Sequence, residues 1–399
     1  MTVTSEPLIY DPYSYAIHED PYPTYRRMRD EAPVYRNEER GFWALSRYED
    51  VMAAFRDSER FSSAQGVSID PAASGPNAHR TMSFLAMDPP QHGRMRGLVS
   101  RGFTPRRVAE MEDGIRALTI NHLEPALESG SFDFVADLAG KVPMDVISEM
   151  LGVPNADRPE LRRLSDLLVH REEGVTDVPQ SGIEAALSLV VYYADLIADR
   201  RANPGDDLVS ALCAADIDGD RLTDNEITSF LFLMVVAGNE TTTKLLAHSW
   251  YWGWVNPDQV AKPFTDISRV ADWAEETLRY DTSSQMLARV TTRDVELHGQ
   301  VIPAGDRVLL LAGSANRDER YFPDPDRFDI DRDKDGIASF GVGRHFCMGA
   351  SLARLEARVV LEELVKRVSS YEIDPTGTRR VHSVNVRGFE ALPTTVVTR

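Results

Sequence analysis

The sequence of 399 residues is poor in cysteine: it contains only Cys213 and Cys347, and neither belongs to a Cys-x-x-Cys pair. Two thiols cannot build a disulfide framework. Because paired cysteines and paired histidine motifs are both missing, a structural zinc site is not expected either. The scarcity of cysteine therefore predicts an intracellular protein, and we expect it in the cytoplasm.

Long apolar segments are also missing. The longest apolar run, 230–238, has nine residues, whereas a membrane-spanning helix needs about 20. Residues 1–7 contain no basic segment followed by an apolar one, so they do not have the pattern of a signal peptide. We expect a protein without a membrane span.

Basic residues are outnumbered, with 44 Lys and Arg against 63 Asp and Glu and a formal net charge of −19 at pH 7. This balance opposes general binding to nucleic acid or anionic lipid. One segment departs from it, because residues 92–107 contain five arginines and no acidic residue. Such a cluster is usually a solvated helix face, but it also offers a positive surface to an acidic partner.

No internal repeat, low-complexity tract or long Gly/Ser linker divides the chain, so we expect one domain over residues 1–399. Helical patterns dominate. Short strands are predicted at Phe42–Leu45 and after Arg289, at 294–297 and 308–311. The expected fold is mainly α with a small β region.

The longest predicted helix begins after Thr223, which forms a capping-box signature with Glu226. The helical pattern continues to about Val255, a length of roughly 48 Å at 1.5 Å per residue. A helix of this length is expected to cross the whole molecule.

The middle of this helix is unusual, because Gly238, Asn239 and the threonines 241–243 lie where strong helix formers are expected. Local rules are often broken at functional sites. The hydroxyl of Thr241 can donate to the carbonyl of Ala237, four residues earlier, and so open the helix to a small molecule.

Cys347 lies in the segment 340–349, Phe-Gly-Val-Gly-Arg-His-Phe-Cys-Met-Gly, directly before a helical pattern at 350–366. Unpaired N–H groups and the positive end of the helix dipole favour an anionic sulfur there. The three glycines of the segment permit sharp turns and close approach of a flat ligand. Cys213 lies in an apolar helical stretch without such a loop, so we assign it to packing.

The segment 340–349, followed by Ser351-Leu352-Ala353-Arg354, resembles the haem-ligand loop of cytochromes P450. The resemblance covers nearly the entire chain, from 20–23 to 387–389. It implies the cytochrome P450 fold, in which a long central helix lies over the haem. It also implies haem b as cofactor and Cys347 as the thiolate ligand of the haem iron.

The same resemblance implies further haem contacts. Haem propionates are anionic, and arginine pairs with carboxylates through two parallel hydrogen bonds. The matching propionate contacts are His92, Arg96, Arg289 and His345, and Phe340 and Gly349 belong to the cofactor-binding loop around the thiolate.

Two more motifs match the family. Gly238-Asn239-Glu240-Thr241 corresponds to its Gly-x-(Asp/Glu)-Thr motif, so Glu240 and Thr241 are expected to control protonation of bound oxygen. Glu276 and Arg279 have the Glu-x-x-Arg spacing, which places both on one helix face. With Arg327, or alternatively Arg332, they are expected to form a structural network behind the haem.

The resemblance places a lipophilic pocket above the haem. The expected substrate contacts are Phe84, Leu85, Leu233, Val236, Ala237 and Leu287. One departure is visible at 282–287, Thr-Ser-Ser-Gln-Met-Leu, where many relatives have Ser-Pro and a valine. Loss of the proline is expected to soften the pocket wall, so a relative's substrate cannot simply be transferred to this chain.

The implied function is that of a soluble bacterial-type haem-thiolate monooxygenase acting on a lipid, steroid, terpenoid, aromatic compound or secondary metabolite. Electrons are expected from NAD(P)H through a ferredoxin reductase and a ferredoxin, which would dock near Arg94, Arg101, Arg106 and Arg107. Two alternatives remain. A peroxide-dependent peroxygenase is opposed by the acid–threonine pair, and a catalytically silent P450-fold binding protein is opposed by the intact Cys347, Glu240 and Thr241.

Overall fold

The computed structural model describes residues 7–172, 175–217 and 219–399. Helices dominate these residues, as the sequence predicts. The α-helices are α1 (Tyr15–Glu19), α2 (Tyr22–Glu31), α3 (Tyr48–Arg56), α4 (His79–Met82), α5 (Gln91–Val99), α6 (Pro105–Glu110), α7 (Glu112–Ser129), α8 (Val142–Leu151), α9 (Arg158–Val169), α10 (Gln180–Ala202), α11 (Leu208–Ala214), α12 (Asp224–Val255), α13 (Pro257–Thr265), α14 (Val270–Tyr280), α15 (Ala312–Ala315) and α16 (Ala350–Arg367).

Short strands make up the β region. They are β1 (Val34–Asn37), β2 (Phe42–Leu45), β3 (Phe61–Ser62), β4 (Ser131–Asp133), β5 (Asp216–Ile217), β6 (Asp220–Arg221), β7 (Leu287–Thr291), β8 (Val295–Leu297), β9 (Gln300–Ile302), β10 (Arg307–Leu310), β11 (Val368–Ile373), β12 (Arg379–Arg380), β13 (Phe389–Ala391) and β14 (Pro393–Thr398). Single-turn helices occur at Pro71–Ala73, Ser83–Ala86, Ser100–Phe103, Ile267–Arg269 and Gly343–His345, and a π-helical turn at Val135–Ala139.

The main sheet has the strand order β1-β2-β10-β7-β3. Strand β2 pairs in parallel with β10, with Phe42 opposite Arg307 and Leu45 opposite Leu310. The predicted strand at Phe42–Leu45 has the observed bounds, and the one predicted at 308–311 differs by one residue at each end. This sheet has its own apolar core, which includes Phe55 and Val308.

The helical body packs around α12, which crosses the largest apolar core between Phe230 and Trp250. The predicted capping box is confirmed. The Thr223 hydroxyl accepts from the Glu226 amide at 3.3 Å, and the Glu226 carboxylate accepts from the Thr223 amide at 2.8 Å. The helix contacts α8, α9, α10, α14 and α16 and stays helical through its polar middle.

One described helix, α10, is long and apolar enough to cross a membrane if only length and composition are considered. A third of its most apolar window is buried in the fold, and the helix packs against α9, α11 and α12. A core helix passes the same test of length and composition.

Candidate active site

The loop before α16 presents Cys347 through backbone bonds within one short segment. The Cys347 amide donates to the Phe340 carbonyl at 2.9 Å. Gly341 and Gly343 have φ values of +62° and +75°, a region that favours glycine. At Gly343 a Cβ atom would lie 3.2 Å from both the Phe55 carbonyl oxygen and the Arg56 Cα. The chain therefore needs glycine where the sequence has it.

The electrostatics of Cys347 combine opposing influences. Burial is the largest, and it raises the pKa of the thiol above its ordinary value. Hydrogen bonds from the backbone of Gly349 and Ala350 and the charges of Arg96 and Arg354 oppose it. The side chain is exposed on one side and closely surrounded on the others. The predicted helix-start donors are present, but the protein alone does not lower the pKa, whereas a metal ion bound to the sulfur would deprotonate it.

Next to this loop, α5 and β7 contribute a cluster of nitrogen donors. The rings of His92 and His345 lie 4.2 Å apart between centroids. His92 Nε2, both ring nitrogens of His345 and Arg289 Nη2 are buried and have no hydrogen-bond partner among the described residues. Burial, followed by the charge of Arg289, lowers the pKa of His345 to about 3. A cluster of this kind is suited to bind an anionic group.

Two further arginines hold the loop in place. Arg96 donates to the Phe346 carbonyl at 2.7 Å and lies over the Phe84 ring at 5.7 Å. Arg354 lies over the Phe340 ring at 4.5 Å while its guanidinium pairs with Glu275 of α14. Arg354 belongs to the Ser-Leu-Ala-Arg segment after the loop, and the motif predicts no contact for it. The arginines thus fix both ends of the loop.

The middle of α12 forms the opposite wall. The Thr241 hydroxyl donates to the Ala237 carbonyl at 2.7 Å, as predicted. Ala237 is exposed although most of its neighbours on this helix are buried. Phe84 connects the two walls, because its ring lies 5.9 Å from that of His92 and 6.2 Å from that of Phe230. We call the accessible region between the Cys347 loop, α5 and the middle of α12 the cleft.

Gly238 and Glu240 face away from the cleft. A Cβ atom at Gly238 would lie 2.6 Å from Ile147 Cδ1, so this glycine allows α12 to pack closely against α8. Glu240 is only 1% exposed. Its carboxylate accepts from Asn239 Nδ2 at 3.3 Å and lies 3.4 Å from Lys244 Nζ.

The segment after α14 is bonded to the middle of α12. The Ser283 hydroxyl donates to the Thr241 carbonyl at 2.8 Å, and Thr282, Ser283 and Gln285 are buried. Gln285 Nε2 also donates to the Thr282 carbonyl at 2.7 Å. A proline at 283 could not make the first bond. This segment is therefore tied to α12 by a side-chain hydrogen bond, and the softening expected from the missing proline stays a prediction.

The Glu-x-x-Arg pair is buried as expected, but one of its predicted partners is wrong. Arg279 donates to Glu276 at 2.7 and 2.9 Å, and both side chains are fully buried. The third member is Arg332, whose Nε lies 3.5 Å from Glu276 and whose side chain is 9% exposed. The Arg327 side chain is 64% exposed, and only its carbonyl contacts Arg279.

Comparison with known proteins identifies the family. The sequence profile of "Cytochrome P450" matches residues 192–382. "Putative cytochrome P450 123" of Mycobacterium tuberculosis is 58% identical over 393 residues, which are 98% of each chain. The chain belongs to the cytochrome P450 family. Among solved structures, cytochrome P450 CYP109Q5 from Chondromyces apiculatus is 36% identical, covers 98% of both chains and has a TM-score of 0.89.

A second solved P450 was determined with a ligand. CYP109E1 from Bacillus megaterium in complex with corticosterone is 33% identical, with a TM-score of 0.84, over 95% of this chain and 99% of that one. Membership confirms the predicted fold class, mainly α with a small β region. This P450 is a monooxygenase with a haem cofactor, and redox partners supply its electrons.

The residues of this P450 fit a haem. Cys347 supplies a sulfur at a helix start, and the orphaned nitrogens of His92, Arg289 and His345 form a donor cluster of the kind that two propionates need. No atom lies within 4 Å of a Cβ built at Gly349, which leaves room for a flat ligand beside the loop.

The predicted substrate contacts of this P450 are spread over three elements. Phe84 and Leu85 belong to the Ser83–Ala86 turn, and Leu233, Val236 and Ala237 to α12. Of these, Phe84 and Ala237 border the cleft. Leu287 begins β7 and is half-buried against the core of the main sheet.

The arginines of the segment 92–107 differ in how far acidic neighbours pair with them. Arg94 pairs with Asp220 at 2.7 Å and also with Glu226, so acidic side chains of the protein itself neutralise its charge. Arg106 and Arg107 are exposed, and Arg106 pairs with the exposed Glu110 at 2.9 Å. The side chain of Arg101 lies outside the described residues. The predicted docking face is therefore smaller than expected.

Proposed function

We propose that this P450 is a cytoplasmic haem b monooxygenase that inserts one atom of O2 into a lipophilic small molecule. NAD(P)H would supply electrons through a ferredoxin reductase and a ferredoxin. The observation that carries the proposal is the pairing of the Cys347 thiol with the buried, unpartnered donors of His92, Arg289 and His345 in one cleft.

The residues on the Cys347 side of the cleft would hold the haem. Bound haem would supply the iron that activates O2. Cys347 would ligate that iron, with the Gly349 and Ala350 amides stabilising the thiolate. Arg289 and His345 would hold the propionates through nitrogens that have no other partner, and Arg96 would join them.

On the opposite wall, Thr241 would hold a proton at its hydroxyl oxygen. The bond to the Ala237 carbonyl orients this hydroxyl at the exposed part of α12. Glu240 would supply protons from the buried side, where Lys244 and Asn239 hold its carboxylate. An acid next to a hydroxyl can move protons while the rest of the cleft excludes water.

The proposed substrate class is inferred from the apolar residues that line the cleft and from the ligands of solved relatives. Phe84 and Ala237 border the cleft with apolar surface. CYP109E1 was solved with testosterone as well as corticosterone, at 34% and 33% identity. P450BioI, at 29% identity, was solved with hexadec-9Z-enoic acid ligated to acyl carrier protein. We therefore place steroids first among the lipophilic candidates and fatty acyl chains second.

The first experiment replaces the thiol. The reduced, haem-loaded protein with carbon monoxide should absorb at about 450 nm because the Cys347 thiolate would ligate the iron. Cys347→Ala should lose this band completely, while the matched control Cys213→Ala should keep it. An unchanged band in Cys347→Ala would contradict the assignment.

The second experiment tests substrate and oxidant. Testosterone and corticosterone should shift the absorption spectrum of the haem-loaded protein as they displace iron-bound water, and NAD(P)H with redox partners should yield product. Product formed with hydrogen peroxide but not with NAD(P)H would favour the peroxygenase alternative.

A further inference from the structure

Asn316 is a buried polar residue that belongs to none of the sequence motifs. It directly follows α15 and is 0% exposed. Its Oδ1 atom accepts from the Ala338 amide at 2.6 Å. Its Nδ2 atom donates to the Ser339 hydroxyl at 2.8 Å and to the Leu278 carbonyl at 3.3 Å. An amide side chain offers an acceptor and two donors on neighbouring atoms, and both atoms of this one are used.

The Leu278 carbonyl receives a second hydrogen bond at the same place. The Ser339 hydroxyl donates to it at 2.7 Å. Leu278 lies in the last turn of α14, and the last carbonyl groups of a helix have no partner within the helix. The side chains of Asn316 and Ser339 therefore join residues 338–339 to the end of α14.

The joined residues lie directly before the segment 340–349. The Ala338 carbonyl accepts from the Gly341 amide at 2.9 Å, and the Phe340 carbonyl accepts from the Cys347 amide at 2.9 Å. These backbone bonds and the glycines of the segment give the loop its shape. The bonds to the preceding residues fix where a loop of that shape lies relative to α14.

Asn316 is itself held through its backbone. Its carbonyl accepts from Arg279 Nη1 at 2.9 Å, and Arg279 is paired with the buried Glu276. Its amide donates to the Ala312 carbonyl at 3.0 Å. Backbone and side chain are thus both fixed, as a residue that supports a functional site requires.

We propose that Asn316 positions the Cys347 thiolate by holding the start of its loop against the end of α14. The inference rests on the proposed ligation of the haem iron by Cys347. Ala338 is only 1% exposed, so without the Asn316 oxygen its amide would be buried and unpartnered, which is unfavourable. The start of the loop would then move towards another acceptor and displace the sulfur. Because Asn316 acts through the loop, it is a positioning residue.

The first test compares the carbon monoxide spectra of haem-loaded variants after reduction with dithionite. In Asn316→Ala the share of haem that absorbs at about 450 nm should fall at least about twofold, because a displaced sulfur ligates the iron less well. Ser339→Ala should lose a smaller share, and Ser339→Thr, which keeps the hydroxyl, should match the parent. A full band in Asn316→Ala, or in Ser339→Ala where Asn316→Ala fails to fold, would overturn the proposal.

The matched control is Asn37→Ala. Asn37 ends β1 in the main sheet and is 6% exposed. Its Nδ2 atom donates to the Tyr10 carbonyl at 3.0 Å, and its Oδ1 atom accepts from the Arg40 amide at 2.9 Å. Both asparagine variants should lose similar thermal stability, but only Asn316→Ala should lose the band. An equal loss of the band in Asn37→Ala would assign the effect to general destabilisation and overturn the proposal.

The second test follows the transfer of haem from each variant to apomyoglobin. Partners behind a metal ligand are typically worth about 10–100-fold in metal affinity, so Asn316→Ala should release haem about tenfold faster than the parent. Asn37→Ala should release it at the parent rate. If Cys347→Ala keeps the band, the ligand assignment itself fails. If Cys347→Ala loses the band while Asn316→Ala keeps both band and haem, only the role of Asn316 fails.

Discussion

The two walls of the cleft are built in different ways. On the thiolate side, one segment of ten residues holds Cys347 through its own backbone, with Gly341 and Gly343 at positive φ. On the opposite side, Thr241 depends on a hydroxyl from Ser283, 42 positions away in sequence. The backbone that presents Cys347 is set mainly within one segment, although Arg96 and Arg354 brace it, whereas the backbone at Thr241 is held by a distant segment as well as by its own helix.

This difference explains why a motif describes the first wall well and the second only in part. A local loop keeps its geometry wherever its glycines and the following helix are kept. An assembled wall changes when any contributing element changes. We expect substrate and proton handling to differ among P450s with the same Cys loop, because those properties belong to the assembled wall.

The largest expected effect is a loss of stability when the buried pair of Glu276 and Arg279 is broken. Glu276→Ala would leave the fully buried Arg279 without its counter-charge, and breaking a buried pair in this way costs about 3–5 kcal/mol. The matched control Arg327→Ala, at a largely exposed side chain, should change stability by less than about 0.5 kcal/mol. Urea unfolding of both variants measures the difference, and equal losses would restore Arg327 to the network.

The next largest effect is expected when the Thr241 hydroxyl on the opposite wall is removed. Thr241→Ala removes the group that bonds the Ala237 carbonyl at 2.7 Å. Product formed per reducing equivalent should fall about tenfold, with the loss appearing as hydrogen peroxide. Thr241→Ser keeps the hydroxyl and should remain close to the parent. Full coupling to product in the alanine variant would remove Thr241 from proton control.

A smaller effect concerns the outer surface behind the thiolate. Reversing charge in the double variant Arg106→Glu and Arg107→Glu should slow the first electron transfer from an acidic ferredoxin about threefold to tenfold at low salt. Added salt should narrow the gap, because screening sets in beyond roughly 8 Å at physiological ionic strength.

The control for this surface is Arg163→Glu on α9, where the parent arginine pairs with Glu160 in an exposed position. Stopped-flow reduction at low and high salt compares the variants. Equal rates for the double variant and the parent at low salt would mean that the ferredoxin docks at another surface. Substrate affinity should stay unchanged in both the double variant and the control variant.

The smallest effect sharpens the contrast between the walls. Ser283→Ala removes one hydrogen bond to the Thr241 carbonyl and should cost about 1 kcal/mol of stability. It should also raise peroxide release, but less than Thr241→Ala does. Ser284→Ala is the control, because Ser284 bridges to Val386 through backbone groups. Identical behaviour of the two serine variants would mean that the bond does not position α12.

Local features were predictable from sequence because their physical causes are local. The capping box sets the start of α12, and the bond from Thr241 to Ala237 spans one helical turn. The turn glycines and the helix start likewise place Cys347. Each of these depends on residues within a few positions of one another, whose types alone restrict the backbone.

Partners brought from distant segments were not predictable. Arg332 rather than Arg327 reaches Glu276, Asp220 and Glu226 engage Arg94, and Ser283 donates to the Thr241 carbonyl. In each case the spacing in sequence carries no information about the contact, because the packing of whole helices decides which side chains meet. Sequence by itself determined the thiolate loop, the central helix and hence the family. Tertiary structure alone decided which charges are neutralised and which segment holds the middle of α12, since burial and long-range proximity arise only when the helices pack.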